Sequence, residues 1–240
     1  MGQGGYGVDQ AYLWYKHDAA KFGHQIHLFA FITDDFYRMQ SNRVVGYGKP
    51  TIDIENGTLM VKNVPVSRRT YNLPWFTLNT QHLRRLRTVE LLERVSAKIG
   101  VVPDKTGRLS KQERNEKTRE VLEKIFEDLK RINEAHASKL VLVYLAAPFE
   151  IQDNDSQEWM KWIEKEARTL DIPLINVLST FRSLPYADVM NMFIPKGQID
   201  YPGAAGHLTE QGNEFVARMI YEEIKHHPAL SQVLSAHQGD

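Results

Sequence analysis

The stretch Lys139-Leu140-Val141-Leu142-Val143-Tyr144-Leu145-Ala146-Ala147, closed by Pro148, decides the fold. After its first residue it carries no charge and is rich in branched side chains, the composition of a strand covered by helices in a parallel sheet. Ahead of it a helix is predicted to start near Ser110, because Val121, Leu122, Ile125, Phe126, Leu129 and Ile132 recur at helical spacing. The Lys, Arg and Glu residues between them suit pairing on the solvated side. Downstream, residues 157–170 read as a helix carrying Trp159, Trp162 and Ile163, and residues 172–177 as another strand. Helix, strand, helix, strand and helix in succession predict parallel pairing with right-handed crossovers.

A second apolar run, residues 25–32 (Gln-Ile-His-Leu-Phe-Ala-Phe-Ile), has the same buried-strand character, with His27 read as structural. Thr33-Asp34-Asp35-Phe36 follows at once, so polar groups emerge at a strand's C-terminal end, where open α/β sheets place their ligands. Before this strand a first helix is expected from Asp9, as N-cap, to near Gly23, with Tyr12, Tyr15, Ala19 and Phe22 on one face. Residues 50–66 read as a hairpin inserted beside the main sheet, because Asn56-Gly57 is a two-residue turn signal that favours positive φ. Residues 76–99 are helical in pattern, a loop around Pro103 and Gly107 follows, and residues 186–201 read as irregular. The expectation is one α/β domain over residues 1–240.

At 240 residues the chain can bury a single core of good size. With 30 basic and 30 acidic residues its formal charge is +0, which gives no general attraction to nucleic acid or an anionic membrane. The pairs Arg68-Arg69 and Arg84-Arg85 are read as solvated. Cysteine is absent, excluding disulfides, thiol nucleophiles and zinc-thiolate sites. No apolar run approaches the length of a membrane span, and the N-terminus lacks the regions of a signal peptide, so a soluble, unexported chain is expected if Met1 is the start. Gly2-Gln3-Gly4-Gly5-Tyr6-Gly7 spells G-x-G-x-x-G, but no strand precedes it, and a tight loop is the reading. His226-His227 before Pro228 fits a helix C-terminus better than a metal site. No metal or cofactor is expected.

The candidate for chemistry is His207, in Gly203-Ala204-Ala205-Gly206-His207-Leu208-Thr209-Glu210-Gln211-Gly212-Asn213. Thr209 can cap a helix, Glu210 suits its positive end, and Phe215, Val216, Met219, Ile220 and Ile224 supply its apolar stripe. Together these stretches resemble the SGNH (GDSL-type) hydrolases over most of the chain. Residues 2–10, with Gly-Tyr-Gly-Val-Asp-Gln, are similar to the family's second block, and Gly2 matches the glycine whose amide serves the oxyanion hole. Thr33-Asp34-Asp35-Phe36 is similar to the third block, normally Gly-x-Asn-Asp. Gly206-His207 and the residues after it are similar to the fifth, which carries the catalytic histidine.

The resemblance implies a three-layer, flavodoxin-like parallel sheet with helices on both faces, the inserted hairpin, and acyl transfer from a small-molecule or glycan ester by a serine with His207 as base. Thr33, Asp34 and Asp35 would line the cleft beside Gly2. The chain departs from the family in three places. The first strands and their Gly-Asp-Ser block are absent, and Ser156, after Asp155, follows the wrong strand. Asp34 stands where an asparagine donor is usual. Ala204 and Ala205 stand where the acid partner is usual, leaving Asp200 as the nearest upstream carboxylate. The readings are therefore an ester hydrolase domain lacking its nucleophile, a non-catalytic glycan- or partner-binding relative, or a sugar O-acyltransferase. Without the first strands, residues 25–32 are predicted to present an uncovered apolar edge, suited to a homodimer or to the rest of a longer protein.

Overall fold

A computed structural model describes residues 4–44, 47–66, 109–200 and 203–235. Gly2, the helix expected over 76–99 and the loop around Pro103 and Gly107 lie outside the described residues. The chain opens with helix α1 (Val8–Trp14), which a wider π turn (Tyr15–Ala19) continues. Strand β1 (Ile26–Phe31) leads directly into helix α2 (Thr33–Met39). Two short strands, β2 (Arg43–Val44) and β3 (Tyr47–Gly48), pair antiparallel, as do β4 (Thr51–Glu55) and β5 (Thr58–Lys62). Helix α3 (Lys111–Ala135) precedes strand β6 (Lys139–Tyr144), and helix α4 (Asn154–Thr169) precedes strand β7 (Leu174–Asn176). Helices α5 (Val177–Ser183), α6 (Tyr186–Met190), α7 (Glu210–His226) and α8 (Pro228–Ser235) complete the described order.

The main sheet is parallel, with strand order β1-β6-β7. Strand β6 is central, and every residue from Leu140 to Tyr144 is buried, as expected of a strand covered on both faces. Helix α3 starts on a reciprocal cap, with Glu113 N–H donating to Ser110 Oγ and Ser110 N–H donating to the Glu113 carboxylate. Its stripe Val121, Leu122, Ile125, Phe126, Leu129 and Ile132 is buried against the sheet as its spacing requires. Phe31, Phe36, Phe126, Tyr144 and Trp159 join the elements in one aromatic core, with Phe36 and Trp159 centroids 4.8 Å apart. Each such ring contributes roughly 1.5–3 kcal/mol by leaving water.

At the other end of the sheet, α3 is tied to β1 through Asn133. Its Oδ1 accepts from the Tyr15 hydroxyl at 2.8 Å, and its Nδ2 donates to Leu129 O at 2.8 Å and to His27 Nδ1 at 3.1 Å. Tyr15 stacks on the His27 ring at 3.7 Å. Burial, reinforced by neighbouring His24, pushes the His27 imidazole down to about 4, consistent with an uncharged ring that accepts a hydrogen bond. His27 is structural, as its place within an apolar strand suggests.

Three sequence expectations are corrected. Asp9 does not cap α1; Gly7 takes the N-cap position, and Asp9 turns inward to Lys49. Phe22 is 62% exposed rather than on the buried face, because the i→i+5 bond from Ala20 N–H to Tyr15 O widens the last turn and breaks the helical phase. The segment expected to be irregular over 186–201 contains α6, followed by an antiparallel bridge between Phe193 and Leu208. The expected hairpin forms: Asn56 and Gly57 have φ of 51° and 76°, the positive values a tight turn of this kind requires. Ile52, Ile54 and Leu59 pack it against the core.

The Asp9–Lys49 pair is fully enclosed, with 2.5 Å between Oδ2 and Nζ. Burial pushes the Asp9 carboxyl up, and the Lys49 ammonium opposes that shift. Removing one partner leaves an uncompensated buried charge. Lys49→Ala is therefore expected to cost about 3–5 kcal/mol, read as a lower urea midpoint at unchanged slope, whereas Asp9→Leu combined with Lys49→Met costs less than either single change. A double variant that loses the sum of the two single losses would show that the pair is not coupled.

Candidate functional site

The C-terminal ends of β1 and β6 are joined by one carboxylate. Glu150, in the single turn Pro148–Glu150, is completely buried and accepts from Thr33 N–H through Oε1 and from Ala147 N–H through Oε2, both at 2.6 Å. Both strand ends would otherwise bury an orphaned amide. Burial pushes the Glu150 carboxyl up, while these hydrogen bonds pull it down. From α5, Arg182 holds the same turn by donating from Nε and Nη2 to Glu150 O at 3.1 and 2.5 Å, and from Nη2 to Asp153 O.

Thr33 is fully buried, and its hydroxyl is engaged with the Tyr144 hydroxyl at 2.7 Å. It anchors the strand end from below. Asp34 and Asp35 lie on the first turn of α2, where carboxylates favour the exposed amides. Asp35 Oδ2 accepts from Ile32 N–H at 3.0 Å, and its Oδ1 accepts from Arg38 Nη1 at 2.6 Å. Arg38 Nη2 lies 2.5 Å from Asp34 Oδ2, while Nη1 also donates to Tyr6 O at 3.1 Å. One guanidinium thus ties the glycine-rich loop to the acidic end of β1. Gly7 is needed at this junction, since a Cβ there would stand 2.7 Å from Asp9 Oδ1 and 3.0 Å from Asp35 O.

His207 is exposed on a loop whose backbone is firmly held. Gly206 N–H donates to Ile194 O, and Ile194 N–H to His207 O, each at 2.8 Å. Thr209 caps α7 by accepting from Gly212 N–H at 3.1 Å, and its own N–H donates to Met192 O at 2.8 Å. Gly212 allows this approach, for a Cβ there would lie 2.3 Å from Met192 O. Gly206 has φ 85°, and a Cβ on it would meet Pro148 at 3.7 Å. The histidine loop therefore abuts the turn that Glu150 anchors.

A chain of contacts consequently links the glycine loop, the β1 end and the histidine loop. Asp200 is exposed and, among the described residues, forms no hydrogen bond or ion pair with His207, whose hydrogen bonds there are those of its backbone. Ser156 is buried in the first turn of α4, where its hydroxyl donates to Asp153 Oδ2 at 2.8 Å. Among the described residues no group of His, Asp and Glu side chains could hold a metal ion. His226 lies in the last turn of α7 with Nδ1 on Glu222 O.

No family model matches the sequence, and neither a curated protein nor a solved structure matches the chain. No helix among the described residues is long and apolar enough to cross a membrane.

The residues that sequence reasoning missed are Glu150, Arg38 and Arg182. Pro148-Phe149-Glu150 directly after an apolar strand was the available signal, since a carboxylate three residues past the strand end can turn back on its amides. Glu150→Ala is expected to cost about 2–5 kcal/mol in urea unfolding, because it orphans two buried amides, and Glu150→Gln about 1–3 kcal/mol. A Glu150→Ala protein as stable as the parent would remove the clamp from the account.

Asp35 offers a test by pH. Burial, more than its neighbour Asp34, pushes its carboxyl from 3.8 up to about 6, against the pull of Ile32 N–H and Arg38. A carboxyl raised on folding contributes stability that is fully present below about pH 3.8 and lost as the pH rises through about 6. Asp35→Asn should therefore flatten the fall in stability between about pH 4 and about pH 7 by up to about 3 kcal/mol, measured as urea midpoints across that range. Parallel curves for both proteins would show that Asp35 is not the titrating group.

Proposed function

We propose that this chain supplies the histidine side of an SGNH-type ester hydrolase site, in which the serine nucleophile comes from outside these residues. The fold is read accordingly as the later part of a three-layer, flavodoxin-like α/β domain. The observation that carries the reading is the contact chain from Tyr6 through Arg38 to Asp35, and from Thr33 through Glu150 and Pro148 to Gly206. It gathers the stretches that resemble the family's second, third and fifth blocks at the C-terminal rim of a parallel sheet, where such folds bind ligands.

In this reading His207 takes the proton of the serine hydroxyl as its oxygen attacks the ester carbonyl. The proton then passes to the leaving alcohol as the carbon–oxygen bond breaks; water, deprotonated by the same imidazole, attacks the acyl-serine carbonyl, and that proton returns to the serine oxygen as its bond to the acyl carbon breaks and the acid leaves. The braced backbone at Gly206 and Leu208 fixes where the ring starts, and exposure leaves the ring free to reach a substrate. A small-molecule or glycan ester is the substrate class, and an acceptor alcohol in place of water would make the same chemistry an O-acyl transfer.

A second reading, a non-catalytic glycan- or partner-binding domain, is favoured by Asp34. Its carboxylate, paired with Arg38, occupies the position where the family places an oxyanion donor. Intact-mass measurement after incubation with a fluorophosphonate separates the two. The 240-residue chain is expected to remain unlabelled. A protein extended upstream through a Gly-Asp-Ser block is expected to gain one adduct, with labelling slowed about 10²–10⁴-fold by His207→Ala. An extended protein that also stays unlabelled would exclude serine catalysis and leave the binding reading.

A further inference from the structure

We propose that Asn56-Gly57, at the tip of the β4–β5 hairpin, is a self-modifying site, where the folded turn converts Asn56 to aspartate and isoaspartate with loss of ammonia. Asn56 is the one asparagine in the sequence that precedes a glycine. Both residues are exposed, and a Cβ built on Gly57 would meet no atom within 4 Å. Thr58 pairs with Glu55 across the turn, which leaves the Gly57 peptide outside the ladder. Among the described residues, neither the Asn56 carboxamide nor the Gly57 N–H is held by a hydrogen bond.

The turn type brings the reaction within reach. Its φ values, 51° at Asn56 and 76° at Gly57, are those of a type I′ turn. Types I′ and II′ share a positive φ at the first central residue, and a flip of the peptide between the two central residues converts one into the other, taking ψ of the first to about −120°. There the bond to the Gly57 nitrogen eclipses Cα–Cβ of Asn56, so that nitrogen and Asn56 Cγ can close a five-membered ring. Glycine accepts either sign of φ, so the flip does not require the strands to part.

Water and hydroxide are the only co-reactants. Hydroxide removes the Gly57 amide proton and the nitrogen attacks Asn56 Cγ. The Cγ–Nδ2 bond breaks as Nδ2 takes up a proton and leaves as ammonia, giving a succinimide. Water then adds to one of the two ring carbonyls: breaking the Cγ–N bond gives aspartate, and breaking the bond from the main-chain carbonyl to nitrogen gives isoaspartate, whose main chain runs through Cβ and Cγ. The neighbouring Glu55 carboxylate is paired with Lys62, so its charge opposes loss of the amide proton less than a free carboxylate would.

The two products differ in their effect on the fold. Asp-Gly forms the same turn as Asn-Gly, so aspartate leaves the hairpin closed. Isoaspartate lengthens the loop by one main-chain atom and disturbs the pairing of Glu55 with Thr58. The hairpin is held to α3 by Asp53 Oδ2, which accepts from Lys117 Nζ at 3.0 Å, and by Ile52, Ile54 and Leu59 in the core. Isoaspartate therefore loosens the hairpin on that flank of α3.

The tryptic peptide of residues 44–62 contains no other asparagine and no glutamine, so its mass reports this site alone. In the folded chain, held at mildly alkaline pH and body temperature, this peptide is expected to exchange NH2 for OH and to resolve into two products, one matching the peptide of the Asn56→Asp variant. The rate should rise with hydroxide and lie within about tenfold of that of the free synthetic peptide, since a turn that changes type with its strands paired opens at little cost. Asn56→Gly keeps a Gly-Gly turn, and its hairpin amides should retain the hydrogen-exchange protection that the incubated parent loses. A folded chain whose peptide stays unmodified while the free peptide converts overturns the proposal, as does conversion only in urea that unfolds the chain. Equal loss of protection in Asn56→Gly overturns the loosening by isoaspartate. None of these readouts needs esterase activity, so this site and the proposed chemistry stand or fall separately.

Discussion

The rim of this molecule depends on a single buried carboxylate. Two parallel strands ending side by side leave amides with no partner once the chain turns away, and here both turn at once, one into a helix and the other into a proline-led turn. Glu150 answers both with its two oxygens, at 2.6 Å each. The arrangement brings a charged group into an interior where burial raises its proton affinity, and two amide hydrogen bonds offset much of that cost. Arg182 holds the carbonyl of the same residue, so side chain and backbone of one position are fixed from opposite sides. Pro148 is thereby placed where Gly206 can pack on it, and the position of His207 follows from that contact.

The second organising feature is asymmetry. Strand β6 has neighbours on both edges and cover on both faces, and Tyr144, Leu142 and Val141 have no exposure at all. Strand β1 is covered on one face only, where Phe29 and Phe31 are buried and where Tyr15 and Asn133 engage His27. On its other face Leu28 and Ala30 are exposed while Ile26 is half-buried against the core, and among the described residues no strand pairs with its outer edge.

Electrostatics at the rim is arranged in short range rather than as a field, in keeping with a formal charge of +0. Arg38 sits among Asp34, Asp35 and the Tyr6 carbonyl, neutralising two carboxylates that α2 places side by side. Asp9 and Lys49 repeat the device in the interior. The Arg38 pairs are local, at helical spacing on α2, but the Asp9–Lys49 pair was not visible in the sequence, because 40 positions separate the two and only the return of the chain after β3 joins them.

What the sequence by itself determined was periodic and local. The stripe of α3, the run of β6, the Asn56-Gly57 turn, the Thr209 cap and the order of strands and helices all follow from residues within a few positions of one another, where side-chain direction obeys a fixed period. The helix that follows His207 was legible for the same reason. Tertiary structure alone decided which distant groups meet: Glu150 with Thr33 and Ala147, Arg38 with Tyr6, Asp9 with Lys49, and the Pro148 ring with Gly206. It also decided that Asp200 makes no bond to His207 and that Ser156 serves a helix start. Such pairings depend on how distant elements pack, and hydrogen-bond geometry tolerates errors of only a few tenths of an ångström, which no sequence period encodes.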